Sequence, residues 1–482
     1  MINFSGAPRA ARGGRTSFFL AVLLVGCGGA RAAEHDRPAT TAAIAEIASD
    51  DRLWVLAPHP DDEVLMAGEL LRDAVRRGRP YSVLVMTNGD LSCARNGHAR
   101  QGESVEALAE LGVPEDHVHF LGYPDGWLDA LGPVPLDPLP RAAADGSCGV
   151  GDHTYAERGA FGVDVHTHEM GAPGPYVASG PVDDLVRLLE RERPTEIVTA
   201  HGIDTHPDHA RTYVLLRQAI DRAAIPPPRI LRSIVHQGAC WPNGSGQEPC
   251  PPIPTTQGTP FPAFAPPLDA YSPTLRIPSD DAGRTLRASI AHYTSQLGTP
   301  VAEESWLSSF ARTDEMFWAE DLVRRGDAGR AVDVDLPAFS HEHPLLTRTG
   351  DLALEHLAPF VLRTRAHLEA VDGSVGIALL GEEEGNRLSL TLDRDGMTLR
   401  HGTAALVRIP VPHGEDALAP HDWELSVLPR PASGPVAEVT IRRDGVYWGL
   451  AVIAAPESGH FGGHQLHIHT ERGALESPTL VE

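Results

Sequence analysis

The chain has 482 residues, of which 42% are hydrophobic and 22% charged, a composition typical of globular proteins. This length exceeds one ordinary domain and predicts two or three. The formal net charge of −25 at pH 7 argues against nucleic acid and anionic lipid headgroups as partners, because both are themselves negatively charged.

The N-terminus is predicted to be a targeting segment. Arginines precede an apolar run from Phe18 to Val25, which is too short to span a bilayer as a permanent helix. The run ends in LVGC at residues 24–27, which resembles the lipobox of bacterial lipoproteins. By that resemblance, residues 1–27 are a signal peptide with Cys27 as the lipidated residue. The alternative is a secretory signal cleaved after residues 30–32.

Both alternatives predict export to the outer side of a bacterial membrane. In the first, the protein contacts the membrane only through its N-terminal lipid anchor. Residues 28–50 are polar and rich in Ala, which predicts a tether. The sequence does not specify an oligomeric state.

Four cysteines follow Cys27, and an even number in an oxidising compartment predicts two disulfides. The short Pro- and Gly-rich loop between Cys240 and Cys250 favours a local pair, which leaves Cys93 with Cys148. Other connectivities remain open. A zinc–thiolate site is the competing interpretation, but the cysteine spacings match no zinc ribbon or finger.

Between residues 51 and 330, short apolar runs alternate with helical patterns. This alternation predicts an α/β domain with a Rossmann-like parallel sheet and helices on both faces. Residues 127–180 lack clear periodicity and predict a long loop that shapes or covers a site. The predicted strands are 53–57, 81–87, 118–121, 196–200 and 230–235; the predicted helices are 64–77, 100–111, 182–192, 210–223, 284–297 and 315–325.

From residue 345 to 482, short alternating or β-branched runs are separated by turns, which predicts an all-β sandwich resembling a jelly roll. This domain could bind carbohydrate or serve only in packing and oligomerisation. Its aromatic residues Trp423, Tyr447, Trp448 and Phe461 could be stacking platforms, but strand aromatics are usually core and most are predicted as such.

Two polar clusters follow predicted strands. The first is His59-Pro60-Asp61-Asp62-Glu63, and the second spans residues 201–209. Both fall where a strand ends and a helix begins, which is where open α/β sheets bind ligands. Imidazoles beside carboxylates suit a divalent metal with a spare base nearby. For the first cluster alone, a loop with a helix-capping Asp is the alternative.

Histidine spacing alone carries little weight in this chain. With 24 histidines, His-x-x-His occurs twice and His-x-His four times, so coincidences are expected. Position after a strand, together with accompanying carboxylates, distinguishes the two clusters. The histidines predicted as surface or strand residues are His153, His166, His168, His341, His343, His464, His467 and His469.

The two motifs together resemble the PIG-L/LmbE-like family of zinc-dependent de-N-acetylases, which act on N-acetylglucosamine-containing and related substrates. The resemblance covers roughly residues 50–325. Segments that also match are Thr87–Asp90, Arg100 to Glu103 with Ala107 and Leu111-Gly112, Phe120–Gly126 and His292–Gln296.

The resemblance implies that His59, Asp62 and His209 bind Zn²⁺. It further implies that Asp61 is the general base and that His206, in its protonated form, faces the substrate carbonyl. Two neutral imidazoles and one carboxylate leave a position open for water, as a catalytic zinc requires. By the same resemblance, bound zinc would make that water more acidic, and Asp61 would accept its proton as the water attacks the acetamide.

Further residues receive less specific predictions. Asp208 is predicted to orient an imidazole. Arg100 and Asp125 are candidates for contacts with substrate hydroxyls, with structural hydrogen bonds as the alternative. His201 ends the same strand as the second cluster and could replace one of the three ligands.

The predicted function is that of an exported zinc hydrolase that removes N-acetyl groups from amino sugars or glycoconjugates. One alternative is a zinc amidase for another N-acyl sugar conjugate, and another is a non-catalytic glycan-binding lipoprotein. A structural metal site that only holds two loops together is disfavoured, since structural zinc usually has four protein ligands.

Overall fold

The structure is a computed structural model. It describes residues 51–91, 93–136, 151–238, 241–242, 259–261, 270–297, 305–321, 331–332, 346–349, 360–380, 388–434, 436–454, 465–471 and 473–481.

The N-terminal α/β region is built on a seven-stranded sheet with the order β3-β2-β1-β4-β5-β7-β6. The pairings from β3 to β5 are parallel, and β7 runs antiparallel to both β5 and β6. The predicted parallel sheet is confirmed. The strands are β1 (Leu53–Ala57), β2 (Tyr81–Thr87), β3 (Val118–Tyr123), β4 (Glu196–Ala200), β5 (Arg229–Ser233), β6 (Leu275–Pro278) and β7 (Asp314–Asp321).

Helices cover both faces of this sheet. Leu53, Val55 and Ala57 of β1 belong to one apolar core, whereas Trp54 and Leu56 belong to a second. All five residues are buried, as expected of a parallel strand between two helical layers. The helices are α1 (Asp62–Arg77), α2 (Ala94–Glu110), α3 (Val165–Met170), α4 (Ser179–Glu192), α5 (Pro207–Arg222), α6 (Arg284–Ile290) and α7 (Thr294–Leu297).

The helix predicted over 315–325 is wrong, because residues 314–321 form strand β7. Met316, Phe317 and Trp318 are all buried, and a short apolar run of this kind does not distinguish a strand from a helix. Pairing with β5 and β6 on its two sides supplies the backbone hydrogen bonds of β7. The helix predicted over 284–297 is interrupted between α6 and α7.

The predicted long loop over 127–180 contains two short helices among its described residues. A 3-10 turn spans Leu128–Ala130, and α3 follows at Val165–Met170. Asp164 caps α3 by accepting a hydrogen bond from the Thr167 backbone N–H.

The C-terminal part contains two six-stranded antiparallel sheets, with orders β17-β16-β15-β10-β19-β8 and β14-β13-β12-β11-β18-β9. They share an apolar core, which confirms the predicted β-sandwich. The strands are β8 (Ala331–Val332), β9 (Leu346–Thr349), β10 (Phe360–Leu368), β11 (Ser374–Leu380), β12 (Leu388–Asp393), β13 (Gly396–His401), β14 (Ala404–Pro410), β15 (His421–Pro429), β16 (Val436–Arg443), β17 (Val446–Ala454), β18 (Gln465–Glu471) and β19 (Gly473–Val481).

The sandwich aromatics differ in their environments. Trp423 and Tyr447 are buried, as predicted, but Tyr447 packs into a core of the α/β region rather than into that of the sandwich. Trp448 is only half-buried. Phe461 lies outside the described residues.

Buried polar contacts join the sandwich to the α/β sheet. Arg232 of β5 and Glu438 of β16 form an ion pair at 2.6 Å, and each side chain is 1% exposed. Glu438 also accepts a hydrogen bond from the Tyr271 hydroxyl at 2.8 Å. The Gln218 side chain of α5 donates to the Tyr447 carbonyl at 2.7 Å. The two parts therefore pack against each other through a buried junction.

Several predictions fall on residues outside the described ranges. Cys93 is disulfide-bonded. Cys148, Cys240 and Cys250 lie outside, so the pairing stays a prediction. The signal peptide with Cys27 and the tether over 28–50 also lie outside. Within the described part of the chain, no helix has the length and apolar character needed to cross a membrane.

Candidate active site

The two polar clusters meet at one edge of the parallel sheet. β1 and β4 are hydrogen-bonded neighbours, and Leu56 is in register with Thr199. Because parallel strands end at the same edge, the segments that follow β1 and β4 lie side by side. The first carries residues 59–62 into α1, and the second carries residues 201–209 into α5.

Three predicted ligands form a small triangle of donor atoms. His59 Nδ1 lies 3.1 Å from His209 Nε2 and 3.1 Å from Asp62 Oδ2, and His209 Nε2 lies 3.0 Å from Asp62 Oδ2. Tetrahedral zinc with bonds of about 2.0–2.2 Å holds neighbouring ligand atoms roughly 3.3 Å apart. The donor set and its spacing therefore fit a divalent metal.

Two other sets of donor atoms also lie close enough for a metal, and both include His59. One adds His206 and His209, and the other adds Asp125 and Asp208. In the set of His59, Asp62 and His209, all three donor atoms lie within 3.1 Å of one another. This set leaves the second ring nitrogen of His59 for Asp125 and Asp208.

Carboxylates hold the other ring nitrogen of each histidine ligand. His59 Nε2 lies 3.1 Å from Asp125 Oδ1 and 3.2 Å from Asp208 Oδ2. His209 Nδ1 lies 3.2 Å from Asp204 Oδ2. Such contacts fix the tautomer and orientation of a metal-binding imidazole. Asp208 therefore contacts an imidazole in the way predicted for it.

Asp204 is a site residue that was not predicted from the sequence. Its carboxylate accepts hydrogen bonds from the backbone N–H groups of Val235 at 2.8 Å, His236 at 2.9 Å and His206 at 2.9 Å. It thus ties the segment after β5 to the start of α5 while it orients His209. The feature of the sequence that could have identified Asp204 is its position in the second polar cluster, five residues before His209.

Asp61 has a strained backbone. Its φ of 132° and ψ of −35° lie where residues with a Cβ are rare. Strain of this kind costs about 1–3 kcal/mol and is concentrated at functional sites. The Arg100 guanidinium donates to Asp61 Oδ2 at 2.9 Å and to the Pro60 carbonyl at 2.7 Å, which helps to hold this conformation.

Glu63 is hydrogen-bonded to the backbone of Asp61. Its carboxylate accepts a hydrogen bond from the Asp61 backbone N–H at 3.0 Å and another from the Tyr293 hydroxyl at 2.8 Å. The Ser104 hydroxyl donates to the same carboxylate. Tyr293 belongs to the C-terminal segment that matched the family pattern, so that segment contacts the site through Glu63.

The site is rich in negative charge. The Arg100 guanidinium contacts one of its carboxylates, that of Asp61, at 2.9 Å. The buried acidic residues are Asp61, Asp62, Glu63, Asp125, Asp204 and Asp208. Burial lowers the pKa of His59, but neighbouring carboxylates outweigh it and raise that pKa well above its usual value. The same balance raises the pKa of His209 to about 9. Surroundings that favour a proton on an imidazole also favour a cation at the same point.

Two further pKa values bear on catalysis. Burial raises the pKa of Asp61 to about 7, although Arg100 opposes this. Burial and the nearby His59 and His209 lower the pKa of His206 to about 4. This lowered pKa favours the neutral form of His206 at pH 7, whereas the sequence predicted the protonated form.

His206 lies beside the donor triangle. Its ring centroid is 4.8 Å from those of both His59 and His209. Among the described residues, its Nδ1 atom is buried without a hydrogen-bond partner. His236, which the sequence analysis did not single out, lies 5.1 Å from the His206 ring and stacks on Trp306 at 4.8 Å.

The residues predicted to contact substrate are engaged by the protein. Arg100 uses its terminal nitrogens for Asp61, Pro60 and, at 3.0 Å, the carbonyl of Gly89. Asp125 contacts His59 and accepts a hydrogen bond from the Leu91 backbone N–H at 2.8 Å. These contacts favour the alternative of structural hydrogen bonds for both.

His201 does not join the donor triangle. Its Nε2 atom lies 2.9 Å from the Tyr271 hydroxyl, and its Nδ1 accepts a hydrogen bond from the Ile203 backbone N–H at 3.2 Å. Burial and the nearby Arg232 lower its pKa well below the usual value. It is a buried, neutral histidine of the domain junction.

The histidines predicted as surface or strand residues lie outside the donor triangle or outside the described residues. His153 is exposed, His166 contacts Asp184 at 3.0 Å, and His168 stacks on Phe161 at 3.6 Å between centroids. His467 and His469 lie in β18. His341, His343 and His464 fall outside the described residues.

Residues 54–220 match the sequence model of the PIG-L family, which is described as GlcNAc-PI de-N-acetylase. The α/β region thus contains a PIG-L family domain. Two curated relatives bear the name 1D-myo-inositol 2-acetamido-2-deoxy-alpha-D-glucopyranoside deacetylase. The one from Corynebacterium urealyticum is 30% identical over 193 residues, covering 36% of this chain and 49% of the relative. The one from a Mycobacterium species is 28% identical over 201 residues, covering 38% and 54%.

The chain therefore spans about half the length of the curated relatives that it matches. Among solved structures, an N,N'-diacetylchitobiose deacetylase from Pyrococcus horikoshii is similar at 15% identity, with 56% of this chain and 84% of that chain covered and a TM-score of 0.34.

Proposed function

We propose that this chain is an exported, zinc-dependent deacetylase that hydrolyses the N-acetyl group of an N-acetylglucosamine-type sugar or glycoconjugate. The observation that carries the proposal is the donor triangle of His59, Asp62 and His209, with separations of 3.0–3.1 Å, next to Asp61, whose backbone is strained. Strain beside a metal-binding cluster is typical of a catalytic site rather than a structural one.

The residues suit zinc in particular. Two imidazoles and one carboxylate are the ligands of many catalytic zinc sites, which leave a position for water or substrate. When bound, zinc supplies a Lewis acid that polarises an amide carbonyl and makes water more acidic. Asp204, Asp125 and Asp208 hold the two imidazoles with the required nitrogen facing the triangle.

Asp61 serves as the proton acceptor and donor of the reaction. It directly precedes the ligand Asp62, and the Arg100 guanidinium at 2.9 Å fixes its carboxylate. A carboxylate with a pKa near 7 can accept a proton from water and then return it to the departing amine. The same group thus acts in both halves of amide hydrolysis.

His206 orients and stabilises the reacting carbonyl. As a neutral ring, it can donate one hydrogen bond from a ring N–H to the oxygen that becomes negative in the transition state. The Asp204 carboxylate accepts a hydrogen bond from the His206 backbone N–H at 2.9 Å. This bond fixes the start of α5 and therefore the position of the His206 ring. A neutral donor performs this role without adding positive charge next to the metal.

The substrate class and the location have separate support. The curated relatives are named as deacetylases of a 2-acetamido-2-deoxy-glucopyranoside, which supports an N-acetylated amino sugar as substrate. The resemblance of residues 24–27 to a lipobox supports export and a lipid anchor at Cys27. An exported enzyme of this kind acts on glycans of the cell envelope or its surroundings.

Release of acetate from a panel of N-acetylglucosamine derivatives tests the proposal. We expect release by the zinc-loaded protein, loss of release after chelation, and recovery when zinc is added back. Asp61→Asn should lower kcat by about 10²–10⁴-fold, the usual contribution of a general base, with the zinc content unchanged. Asp183→Asn, at a partly exposed aspartate of α4 outside the site, is the matched control.

Two outcomes of this experiment would indicate a different function. Zinc binding without acetate release from any sugar, but with cleavage of a longer N-acyl group, points to an amidase of N-acyl sugar conjugates. Sugar binding without any hydrolysis points to a glycan-binding lipoprotein. A protein that binds no metal contradicts the proposal altogether.

A further inference from the structure

A groove runs along the junction between the α/β region and the sandwich. It has a volume of about 500 Å³ and is bounded by the start of α5 on one side and by β14 and β17 on the other. We call it the junction groove. Residues that line it include Asp204, Thr205, Arg211, Val407, Ile409 and Trp448.

The junction groove begins next to the candidate active site. Asp204 and Thr205 line it on the segment that leads to His206, and Pro207 lines it on the first turn of α5. A substrate whose acetamide lies at the donor triangle can therefore extend into the groove. The sandwich, which lies outside the matched family domain, supplies the opposite wall.

Arg211 in this groove differs from other buried arginines. It is 9% exposed, and its Nε atom, like those of Arg100 and Arg217, is buried without a hydrogen-bond partner. Among the described residues, its guanidinium forms no hydrogen bond and no ion pair. By contrast, Arg100 pairs with Asp61, Arg217 with Glu320 and Arg232 with Glu438.

Burial of an unpaired guanidinium costs several kcal/mol, so a fold that retains one needs compensation. A cation–π contact with Trp448, at 5.3 Å from the guanidinium carbon to the ring centroid, and the negative charge of nearby Asp129 give only part of it. Trp448 is itself held by Arg443, whose guanidinium carbon is 3.8 Å from the ring centroid. The arrangement positions the Arg211 guanidinium but leaves its hydrogen-bond donors for a ligand.

The surroundings favour a carboxylate over a more highly charged anion. Asp129 also lines the junction groove and brings a negative charge close to Arg211. Val407, Ile409 and other apolar residues form the opposite wall. A planar carboxylate suits the two parallel N–H donors of one guanidinium. A phosphate dianion would meet Asp129 with only one buried cation, because Arg408, the other arginine of the lining, is 63% exposed and lies 3.3 Å from Asp395.

We propose that the junction groove binds a carboxylate on the part of the substrate next to the N-acetylated sugar, with the Arg211 guanidinium as its partner. The substrate is then an acidic glycan in which a sugar acid neighbours the N-acetylglucosamine unit. This inference rests on the proposed function for the reaction, but the anion site itself can be tested without catalysis.

The kinetic test compares two disaccharides that differ only in one group. One joins N-acetylglucosamine to glucuronic acid, and the other joins it to glucose. We expect the wild-type protein to prefer the acidic substrate by at least about tenfold in kcat/KM, the equivalent of one good charged hydrogen-bond pair. In Arg211→Gln the ratio should fall to near one. Arg222→Gln, at an exposed arginine of the same helix, should keep the wild-type ratio.

A binding test separates this inference from the proposed function. Calorimetry with glucuronate should show binding to the wild-type protein and to Arg222→Gln, and at least tenfold weaker binding to Arg211→Gln. Equal binding to all three proteins, or none to any of them, would overturn the site. Tighter binding of inorganic phosphate than of glucuronate would overturn the choice of carboxylate. Glucuronate binding without deacetylation would reject the function and keep the anion site.

A stability measurement excludes a purely structural role for Arg211. Removal of an unpaired buried charge is neutral or stabilising, whereas removal of a structural arginine is destabilising. We expect the thermal midpoint of Arg211→Gln to be at least as high as that of the wild-type protein. We also expect glucuronate to raise the midpoint of the wild-type protein only. A midpoint lowered by several degrees in the variant would show that Arg211 supports the fold instead.

Discussion

The Nδ1 atom of His59 lies 3.1 Å from the Nε2 atom of His209, although 150 residues separate them in the chain. Each unprotonated nitrogen presents a lone pair, so this approach is favourable only with a proton or a cation between the rings. The Asp62 carboxylate oxygen at 3.0 and 3.1 Å from the two nitrogens adds negative charge at the same point. A divalent metal satisfies all three groups at once.

Replacement of a ligand tests this relationship directly. We expect His209→Ala to reduce the zinc retained after dialysis from about one equivalent to a small fraction, because two ligands seldom hold zinc in a protein. His153→Ala, at a side chain that is 50% exposed, should retain the full equivalent. Metal content measured by atomic spectrometry distinguishes the two. Full retention by His209→Ala would mean that another donor set holds the metal.

Asp204 is expected to affect metal affinity without being a ligand. Asp204→Asn keeps the shape of the side chain but weakens its contact with His209 Nδ1. In the wild-type protein this nitrogen lies 3.2 Å from Asp204 Oδ2. Loss of such a contact lowers metal affinity by about 10–100-fold. Competition with a chelator of known affinity measures the change, with Asp183→Asn as the control. An unchanged affinity would limit Asp204 to its backbone hydrogen bonds.

The backbone of Asp61 makes an unusual prediction about stability. Because φ is 132°, glycine should fit this position better than alanine, and Asp61→Gly should be more stable than Asp61→Ala by about 1–3 kcal/mol. Both variants lack the carboxylate and should be inactive. Denaturant unfolding of the two proteins measures the difference.

The same pair of substitutions at Asp73, inside α1, provides the control. There glycine should be less stable than alanine by about 1 kcal/mol, because glycine is a poor helix former. If the order at Asp61 matched the order at Asp73, the strained conformation of Asp61 would not be present in solution.

The junction between the two parts should depend on pH through Glu438. Burial alone would raise the pKa of Glu438, but Arg232 and Arg430 outweigh it and lower the pKa to about 2. A lowered folded-state pKa gives stability that is present above the unfolded value of 4.5 and is lost as pH falls toward 2. At pH 7, Glu438→Gln should cost about 3–5 kcal/mol, since it removes the carboxylate paired with the buried guanidinium of Arg232.

The cost of Glu438→Gln should shrink as the pH falls from about 4.5 to 2, because the wild-type carboxylate also becomes neutral there. Unfolding free energies measured across this range test the prediction. Glu106→Gln, at a side chain that is 65% exposed, should change stability by no more than about 0.5 kcal/mol at any pH. A cost of Glu438→Gln that does not vary with pH would contradict the assigned ion pairs.

Much of the site could be predicted because its residues are local in sequence. Asp61 and Asp62 follow β1 directly, and His206 and His209 follow β4, so the end of each strand fixes where these side chains begin. The apolar runs predicted β1, β2 and β4 with the same bounds that the structure has. Local backbone preference and burial are enough for such elements, since each strand lies inside the sheet.

Strand β7 could not be predicted in the same way. Its residues Met316, Phe317 and Trp318 are buried because β7 adds to the sheet beside β5, which lies far away in the chain. A run that is apolar throughout has neither helical nor strand periodicity, so only the available pairing edge decides its conformation.

By itself, the sequence determined the parallel sheet, the sandwich and the two polar clusters that follow β1 and β4, because periodicity and residue type are properties of short segments. The tertiary structure alone decided that Asp204 holds His209, that Glu438 pairs with Arg232, and that Arg211 lies unpaired among the described residues. Such pairings join strands and helices distant in the chain. A hydrogen bond or ion pair forms only when its atoms are positioned to within a few tenths of an ångström, and only the packed fold sets their positions that closely.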